Sequence, residues 1–321
     1  MAWEISCAAV VQPVGGPAPR TDGLCCDRRV VENDSPGGEP FTDPVTLRSV
    51  AERLATEAAA FVRKRRAVVF GDSPATRNTA QNTASPVRAK STPTDPVTVV
   101  DTETEALLRD RLAVLRPGEL VLGEEQGGSA DGGDGRLTWV LDPIDGTVNF
   151  VYGIETYAVS VAVQRDGASV AGAVANVPTG ALYSAAVGHG ARLQRGTVTT
   201  TLQNSGASEL SMSLIGTGFS YSAEQRKRQA EVLAALIPGV RDIRRIGSCA
   251  LDLCMVASGG LDAYYEDGVH VWDWAAGALI ASESGAALRL PPADDSPGFI
   301  VASAPAIADD LIAALRKSGA F

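Results

Sequence analysis

The chain reads as a mixed α/β protein, with an α+β first half and an α/β second half. Three observations predict this. A long run with helical spacing opens the ordered part near residue 42. Between residues 157 and 193, strand-like segments follow one another with only tight turns between them, the pattern of an antiparallel meander. From residue 214 onward, strand-like and helical segments alternate, the pattern of an α/β layer. The expected organisation is an extension at residues 1–40, an α+β half at 41–195 and an α/β half at 196–321.

Residues 1–40 are rich in Pro, Gly and Asp and lack sustained periodicity, so a mostly disordered extension is expected there. A helix then starts at Thr42-Asp43-Pro44, a cap followed by proline in the first turn. Val50, Leu54, Ala58, Phe61 and Val62 give it one apolar face to about Ala67, and the basic run Arg63 to Arg66 complements the dipole at its end. Residues 71–89 read as a mobile Ser/Thr/Asn/Pro loop. An extended run then carries Asp101 to a helix at 102–115, with Asp101 as its N-cap, and Pro117-Gly118 ends that helix. Leu120-Val121-Leu122 is a buried strand that delivers Gly123-Glu124-Glu125. Side chains of neighbouring residues in extended chain point to opposite faces, so at most one of the two glutamates is expected to face a site.

Trp139-Val140-Leu141-Asp142-Pro143-Ile144-Asp145-Gly146-Thr147-Val148-Asn149-Phe150 is the stretch that carries chemistry. It opens as a buried strand, which proline is expected to end at Asp142-Pro143. Asp142 and Asp145 straddle that turn, and Gly146-Thr147 begins a short helix. Carboxylates three residues apart across a turn can point into one space, where they repel unless a cation lies between them. Hard oxygen ligands suit Mg²⁺ or Mn²⁺, and the Ile144 carbonyl can add a third oxygen. The N–H groups of Gly146 and Thr147 favour a phosphate oxygen. The plainer alternative is a turn capped locally by aspartate.

After it come a strand at 157–163, a hairpin turn at Arg165-Asp166-Gly167, the return strand at 169–176, and further strands at 182–186 and leading to Leu193. His189, between glycines in a turn, reads as surface. The second half reads as a strand at 214–218, a helix at 222–237, a helix at 249–257 reached through Arg244-Arg245-Ile246-Gly247-Ser248, a strand at 261–266, a helix from Val271-Trp272-Asp273 to Gly285, a strand at 299–302 and a last helix at 306–317. No internal repeat is evident.

Composition narrows the function. The net charge of −10 argues against a nucleic-acid partner held through its phosphates. There is no apolar run of 18 residues, so no spanning helix is expected, and the N-terminus lacks the basic and apolar regions of a signal peptide. The five cysteines, Cys7, Cys25, Cys26, Cys249 and Cys254, have no zinc-type spacing, and a reducing cytoplasm is expected.

Three patches, Gly123-Glu124-Glu125, Asp142 to Phe150 and Trp272-Asp273-Trp274-Ala275-Ala276-Gly277, with Lys90 and Asp101 upstream, resemble the inositol monophosphatase family of magnesium-dependent, lithium-sensitive phosphatases. The resemblance covers about residues 43–321. It implies a layered α-β-α-β-α sandwich, commonly a homodimer, with two or three Mg²⁺ ions for which Mn²⁺ can substitute. It places Glu124, Asp142 and the Ile144 carbonyl on a first metal, and Asp142, Asp145 and Asp273 on a second. Asp101, Glu124 and Thr147 would orient the attacking water. The substrate set would be Lys90, Asp145, Gly146, Thr147, Ser248, Cys249 and Glu266, with Glu266 on a substrate hydroxyl. Lys90 can screen the acidic cluster or be a plain loop lysine. Asp273, at a helix start, is expected to stay ionised.

The implied activity is hydrolysis of inositol 1-phosphate. The same chemistry on histidinol phosphate, fructose 1,6-bisphosphate or adenosine 3',5'-bisphosphate is the alternative, and a regulatory binding protein is the reading of another class. Three features separate this chain from other members: Cys249 where a small residue is common, Glu283-Ser284-Gly285-Ala286 in place of Glu-Ala-Gly-Gly, and Thr217-Gly218-Phe219-Ser220-Tyr221, which is similar to the bacterial branch.

Overall fold

The computed structural model describes residues 42–71, 87–90, 95–129, 135–292 and 296–321. The extension expected at 1–40 and most of the loop expected at 71–89 lie outside the described residues.

In chain order the larger elements of the first half are α1 (Pro44–Phe70), β1 (Val87–Ala89), β2 (Pro96–Thr98), α2 (Val99–Leu115), β3 (Leu120–Gly123), β4 (Gly127–Gly128), β5 (Leu137–Asp145), α3 (Thr147–Tyr152), β6 (Ala158–Arg165), β7 (Ala168–Asn176), β8 (Leu182–Ala186), β9 (Ala191–Arg195) and β10 (Val198–Thr201). The second half adds β11 (Leu214–Thr217), α4 (Ala223–Leu236), β12 (Asp242–Arg244), α5 (Cys249–Ala257), β13 (Ala263–Val269), α6 (Val271–Glu283), β14 (Ala287–Arg289), β15 (Gly298–Ser303) and α7 (Ala308–Lys317).

Two sheets carry the fold. One has eight strands in the order β10-β9-β8-β7-β6-β5-β3-β4, and the other five in the order β12-β11-β13-β15-β14. The period-2 alternation of strands assigns each face to a layer. Trp139, Leu141, Val159, Val161 and Val163 turn toward α1 and α2, where they meet Leu47, Leu54 and Leu108. Val140, Ala158 and Ala162 turn the other way, onto α5 and α6. The smaller sheet repeats the rule: Tyr264, Ile300 and Ala302 face that central helical layer, while Ile215, Tyr265 and Val301 face α4 and α7 through Val232, Leu236, Leu311 and Leu315. The result is the α-β-α-β-α sandwich.

Helix α1 shows the local logic. Asp43 accepts from the Thr46 N–H at 3.0 Å, Pro44 follows, and Leu47, Ala51, Leu54, Ala55, Ala58 and Val62 form its buried stripe. Truncating fully buried Leu54 to Ala would cost about 2–5 kcal/mol. Trp139 is fully buried, and its indole N–H is satisfied by Glu119 Oε2 at 2.6 Å.

The structure corrects two sequence expectations here. Strand β5 does not end at Asp142-Pro143 but continues to Asp145, all of it buried. Three steps along β5, from Asp142 to Asp145, oppose two along β6, from Ser160 to Ala158, so the proline sits in a bulge. Pairing with β3 has already stopped at Leu141, so the missing proline N–H leaves no gap on that side. The second correction is at α2, which starts at Val99 rather than Thr102. Its N-cap is Thr98, and Asp101 is the N3 partner in a capping box. The short strands β4, β10, β12 and β14 had no clear sequence pattern.

Candidate active site

The carboxyl end of β5, the start of α3, the start of α5, the end of β13 and the start of α6 converge on one cleft of about 460 Å³. Seven carboxylates line it, from Asp95, Glu124, Asp142, Asp145, Glu266, Asp267 and Asp273, against two permanent cations, Lys90 and Arg245.

Asp142, Asp145 and Asp273 each offer an oxygen in a group within which all lie inside 4.8 Å. The β5 bulge makes this possible, because it turns both aspartates of one strand toward the same space while the Ile144 N–H anchors Asp142 Oδ1 at 3.0 Å. Asp145 is held from the other side of the molecule: Ser248 Oγ donates to its Oδ2 at 2.6 Å and the Ala250 N–H at 2.7 Å. Asp273 is the N3 residue of α6 and accepts from the His270 N–H at 2.6 Å.

Burial, reinforced by the neighbouring carboxylates, pushes the pKa values of this group up. Asp142 rises well above the usual range through burial first, then through Glu124, Asp145 and Asp273. Asp145 is raised to about 7 by burial, against the lowering effect of Ser248 and Ala250. Asp273 also rises well above its ordinary value, through burial and then Asp145. Desolvation and like charge thus work against the helix dipole and the His270 N–H, which favour its ionised form.

Glu124 stands outside the three-aspartate group. Lys90 Nζ lies 2.7 Å from its Oε1 and also pairs with Glu125. Both glutamates reach one cation because β3 stops at Gly123 and residues 124–126 form a turn, but of the two only Glu124 lines the cleft, as the alternation argument expects. Burial works to lower the Lys90 ammonium, but Glu124 and Glu125 overcome it and hold it above the usual lysine range. Fully buried Glu105 fixes this turn by accepting from the N–H groups of Glu125 (2.7 Å) and Gln126 (3.1 Å). Gly123 is required because a Cβ there would run into the Glu105 carboxylate.

Behind the aspartates, the Thr147 hydroxyl lies 3.1 Å from Asp101 Oδ1 and 3.0 Å from the Ile144 carbonyl. Asp101 is fully buried and accepts from Thr98, and burial raises it to about 7 against that bond. Gly146 is the left-handed N-cap of α3 and lines the cleft. Ser248 caps α5, and Cys249 lines the cleft as a buried free thiol. Glu266 faces the same cleft, with the Tyr264 hydroxyl donating to it from beneath; burial raises its pKa while Tyr264 and Arg245 oppose the rise. His189 is exposed in its turn.

These positions fit a hard divalent cation. The donors are all oxygen, three carboxylates share one space, and burial together with mutual repulsion disfavours their charged forms, a cost that a cation among them offsets. A phosphate dianion would be repelled from so acidic a cleft unless positive charge were added there.

A sequence profile described as the inositol monophosphatase family matches residues 43–320. The chain belongs to the inositol monophosphatase family. It is accordingly a phosphatase. It is 61% identical over 283 residues to "Inositol-1-monophosphatase SuhB" of Mycobacterium tuberculosis strain H37Rv, covering 87% of this chain and 96% of that protein. It is 35% identical over 229 residues to "Nus factor SuhB" of Vibrio cholerae, covering 70% and 84%. The solved structure of Mycobacterium tuberculosis SuhB superposes with a TM-score of 0.73 at 55% identity, covering 86% of this chain and 98% of that one.

Within this inositol monophosphatase fold, sequence reading had assigned no role to Asn149, Tyr221, Arg245 or Tyr264. Tyr221 and Arg245 line the cleft, and Tyr264 supports Glu266. Asn149 lies in the quoted motif, but beside the nearby Thr156 carbonyl it reaches the Ile246 carbonyl 97 positions away, which no spacing rule could show. Among the described residues no helix is long and apolar enough to cross a membrane.

Proposed function

We propose that the protein is a Mg²⁺-dependent phosphomonoesterase that hydrolyses inositol 1-phosphate to inositol and phosphate. The observation that carries this is the convergence of Asp142 and Asp145 from strand β5 and Asp273 from helix α6 on one acidic cleft. The relatives named inositol-1-monophosphatase support the substrate.

Asp142, Asp145, Asp273, the Ile144 carbonyl and Glu124, once released from Lys90, would hold the divalent cations. Bound there, such cations supply positive charge against the phosphate and make water easier to deprotonate. The chain's own residues do the rest. Thr147 and Asp101, already hydrogen-bonded, orient the attacking water and accept its proton, and a carboxylate raised to about 7 suits that exchange near neutral pH. Gly146 and Thr147 present N–H groups to the phosphate. Glu266, fixed by Tyr264, accepts from a ring hydroxyl, which favours a neutral polyol over an aromatic substrate. Ser248 and Cys249 shape the rim.

On the same reading, Mn²⁺ substitutes, lithium inhibits, and the protein is a cytoplasmic homodimer. The relatives named Nus factor favour a second role as a regulatory binding protein. A phosphate-release assay with inositol 1-phosphate, histidinol phosphate, fructose 1,6-bisphosphate and adenosine 3',5'-bisphosphate tests the substrate. The highest kcat/KM is expected for inositol 1-phosphate. A higher value for another ester reassigns the substrate, and no turnover of any ester in Mg²⁺ favours the regulatory reading.

A further inference from the structure

Asp145 is built from two distant parts of the chain. Its backbone belongs to β5, but its Oδ2 is held by Ser248 and Ala250 at the start of α5, 103 and 105 positions away. Those two bonds engage one oxygen and leave the other for the cleft. The orientation of the carboxylate therefore depends on what keeps the start of α5 in place.

Asn149 makes that second connection. It is 5% exposed on α3, four residues after Asp145. Its Nδ2 lies 2.7 Å from the Thr156 carbonyl and 2.9 Å from the Ile246 carbonyl, with the Gly247 carbonyl at 3.5 Å. A carboxamide has two N–H protons, and both are used here, one on its own half and one on the segment that leads to Ser248. There is no slack in this junction. Gly247 has φ +94°, and a Cβ on it would lie 2.9 Å from Asn149 Nδ2. Aspartate could not replace Asn149, since it would set an anion against three carbonyl oxygens.

We propose that Asn149 is a positioning residue for Asp145: by tying the 246–248 segment to α3, it holds Ser248 and Ala250 where they aim the Asp145 carboxylate into the cleft. The two ties run side by side between the same segments. The bond from Ser248 is made by the functional carboxylate itself, whose charge is redistributed when a cation arrives. The tie through Asn149 involves no titrating group and keeps the register throughout. Partners that orient a ligating carboxylate in this way commonly tune affinity by about 10–100-fold.

This inference rests on the reading that the three aspartates take a divalent cation, so the test measures binding of Mn²⁺ alone. Titration calorimetry of the full chain with Mn²⁺, beside thermal melts in EDTA, is run on wild type, Asn149→Ala, Asn149→Ser, Ser248→Ala and the Asn149→Ala/Ser248→Ala double variant. Asn149→Ala is expected to weaken Mn²⁺ binding about tenfold. Asn149→Ser, which keeps a shorter donor, is expected to weaken it less, and carries the test should the alanine variant not fold. The double variant is expected to bind no worse than about the weaker single variant, because both changes act on the same carboxylate. Lower melting temperatures with unchanged Mn²⁺ affinity in both Asn149 variants would show a merely structural role and overturn the proposal. Multiplying losses in the double variant would overturn action through Ser248. Failure of wild type to bind Mn²⁺ would remove the metal reading itself, an outcome separate from either.

Discussion

Lys90 Nζ lies 2.7 Å from Glu124 Oε1, so the metal-free cleft carries an internal cation beside its acidic cluster. The pair is only about a quarter exposed, with side-chain exposures of 23% and 22%. Removing the ammonium leaves two glutamates, Glu124 and Glu125, partly buried and facing each other. Lys90→Met is therefore expected to lower the melting temperature of the metal-free protein by about 2–6 °C. Mg²⁺ should recover most of that loss by supplying the missing charge. Melts in EDTA and in Mg²⁺ check this, and an unchanged melt in EDTA would show that Lys90 is not a counterion.

The raised pKa values give a pH dependence with a definite sign. Asp101 and Asp145, near 3.8 when unfolded, stand at about 7 in the folded chain. Between those values the native state binds more protons than the unfolded state, so stability falls as pH rises. The metal-free protein is expected to melt progressively lower from about pH 5 to pH 7.5. A divalent cation that binds the ionised carboxylates should raise the melting temperature more at pH 7.5 than at pH 5. Melts in EDTA and in Mg²⁺ across this range test both signs.

Tyr264 is fully buried beneath Glu266 and donates to it. Tyr264→Phe removes the donor while keeping the ring, so the packing of the central layer should survive. Loss of the bond frees Glu266 to rotate and raises its pKa further. The expected outcome is a rise in KM for inositol 1-phosphate of about 3–10-fold, the size of one ordinary hydrogen bond, with kcat changed less. An equal fall in kcat at unchanged KM would place Tyr264 in the chemical step instead.

How much of this was legible in sequence follows from the range of each signal. The apolar spacing of α1 and the alternation at 157–193 are local, and they translate directly into one helix and a run of antiparallel strands. Asp142, Asp145 and Asp273 were nameable from the local motifs that hold them. The bulge at Pro143 was not, because proline reads as a strand end unless pairing with β6 is known. Asp101 was placed as a cap because an aspartate before a helical run looks the same at N-cap and at N3. The helix start at Asp273 is visible in sequence, but its burial among other carboxylates is not. The role of Asn149 is silent for a similar reason, since its bond to Ile246 is formed only once α3 and the segment before α5 meet.

The central claim is that the three aspartates serve as ligands of a catalytic divalent cation rather than as turn and helix caps. Asn caps a helix about as well as Asp, so a cap would tolerate the exchange. A ligand would not, because Asn keeps an oxygen but loses the charge that balances the cation, in a centre where such charge is worth about a hundredfold or more in rate. The measurement is phosphate release from inositol 1-phosphate in Mg²⁺ and in EDTA, with a thermal melt of each protein, for wild type, Asp145→Asn and Asp273→Asn. The account predicts that wild type turns over in Mg²⁺ and not in EDTA. It predicts that both variants stay folded, with metal-free melting temperatures equal to or above wild type, and lose about a hundredfold or more in turnover. Wild-type turnover undiminished by EDTA, or near-normal turnover of either variant at low Mg²⁺, would contradict it.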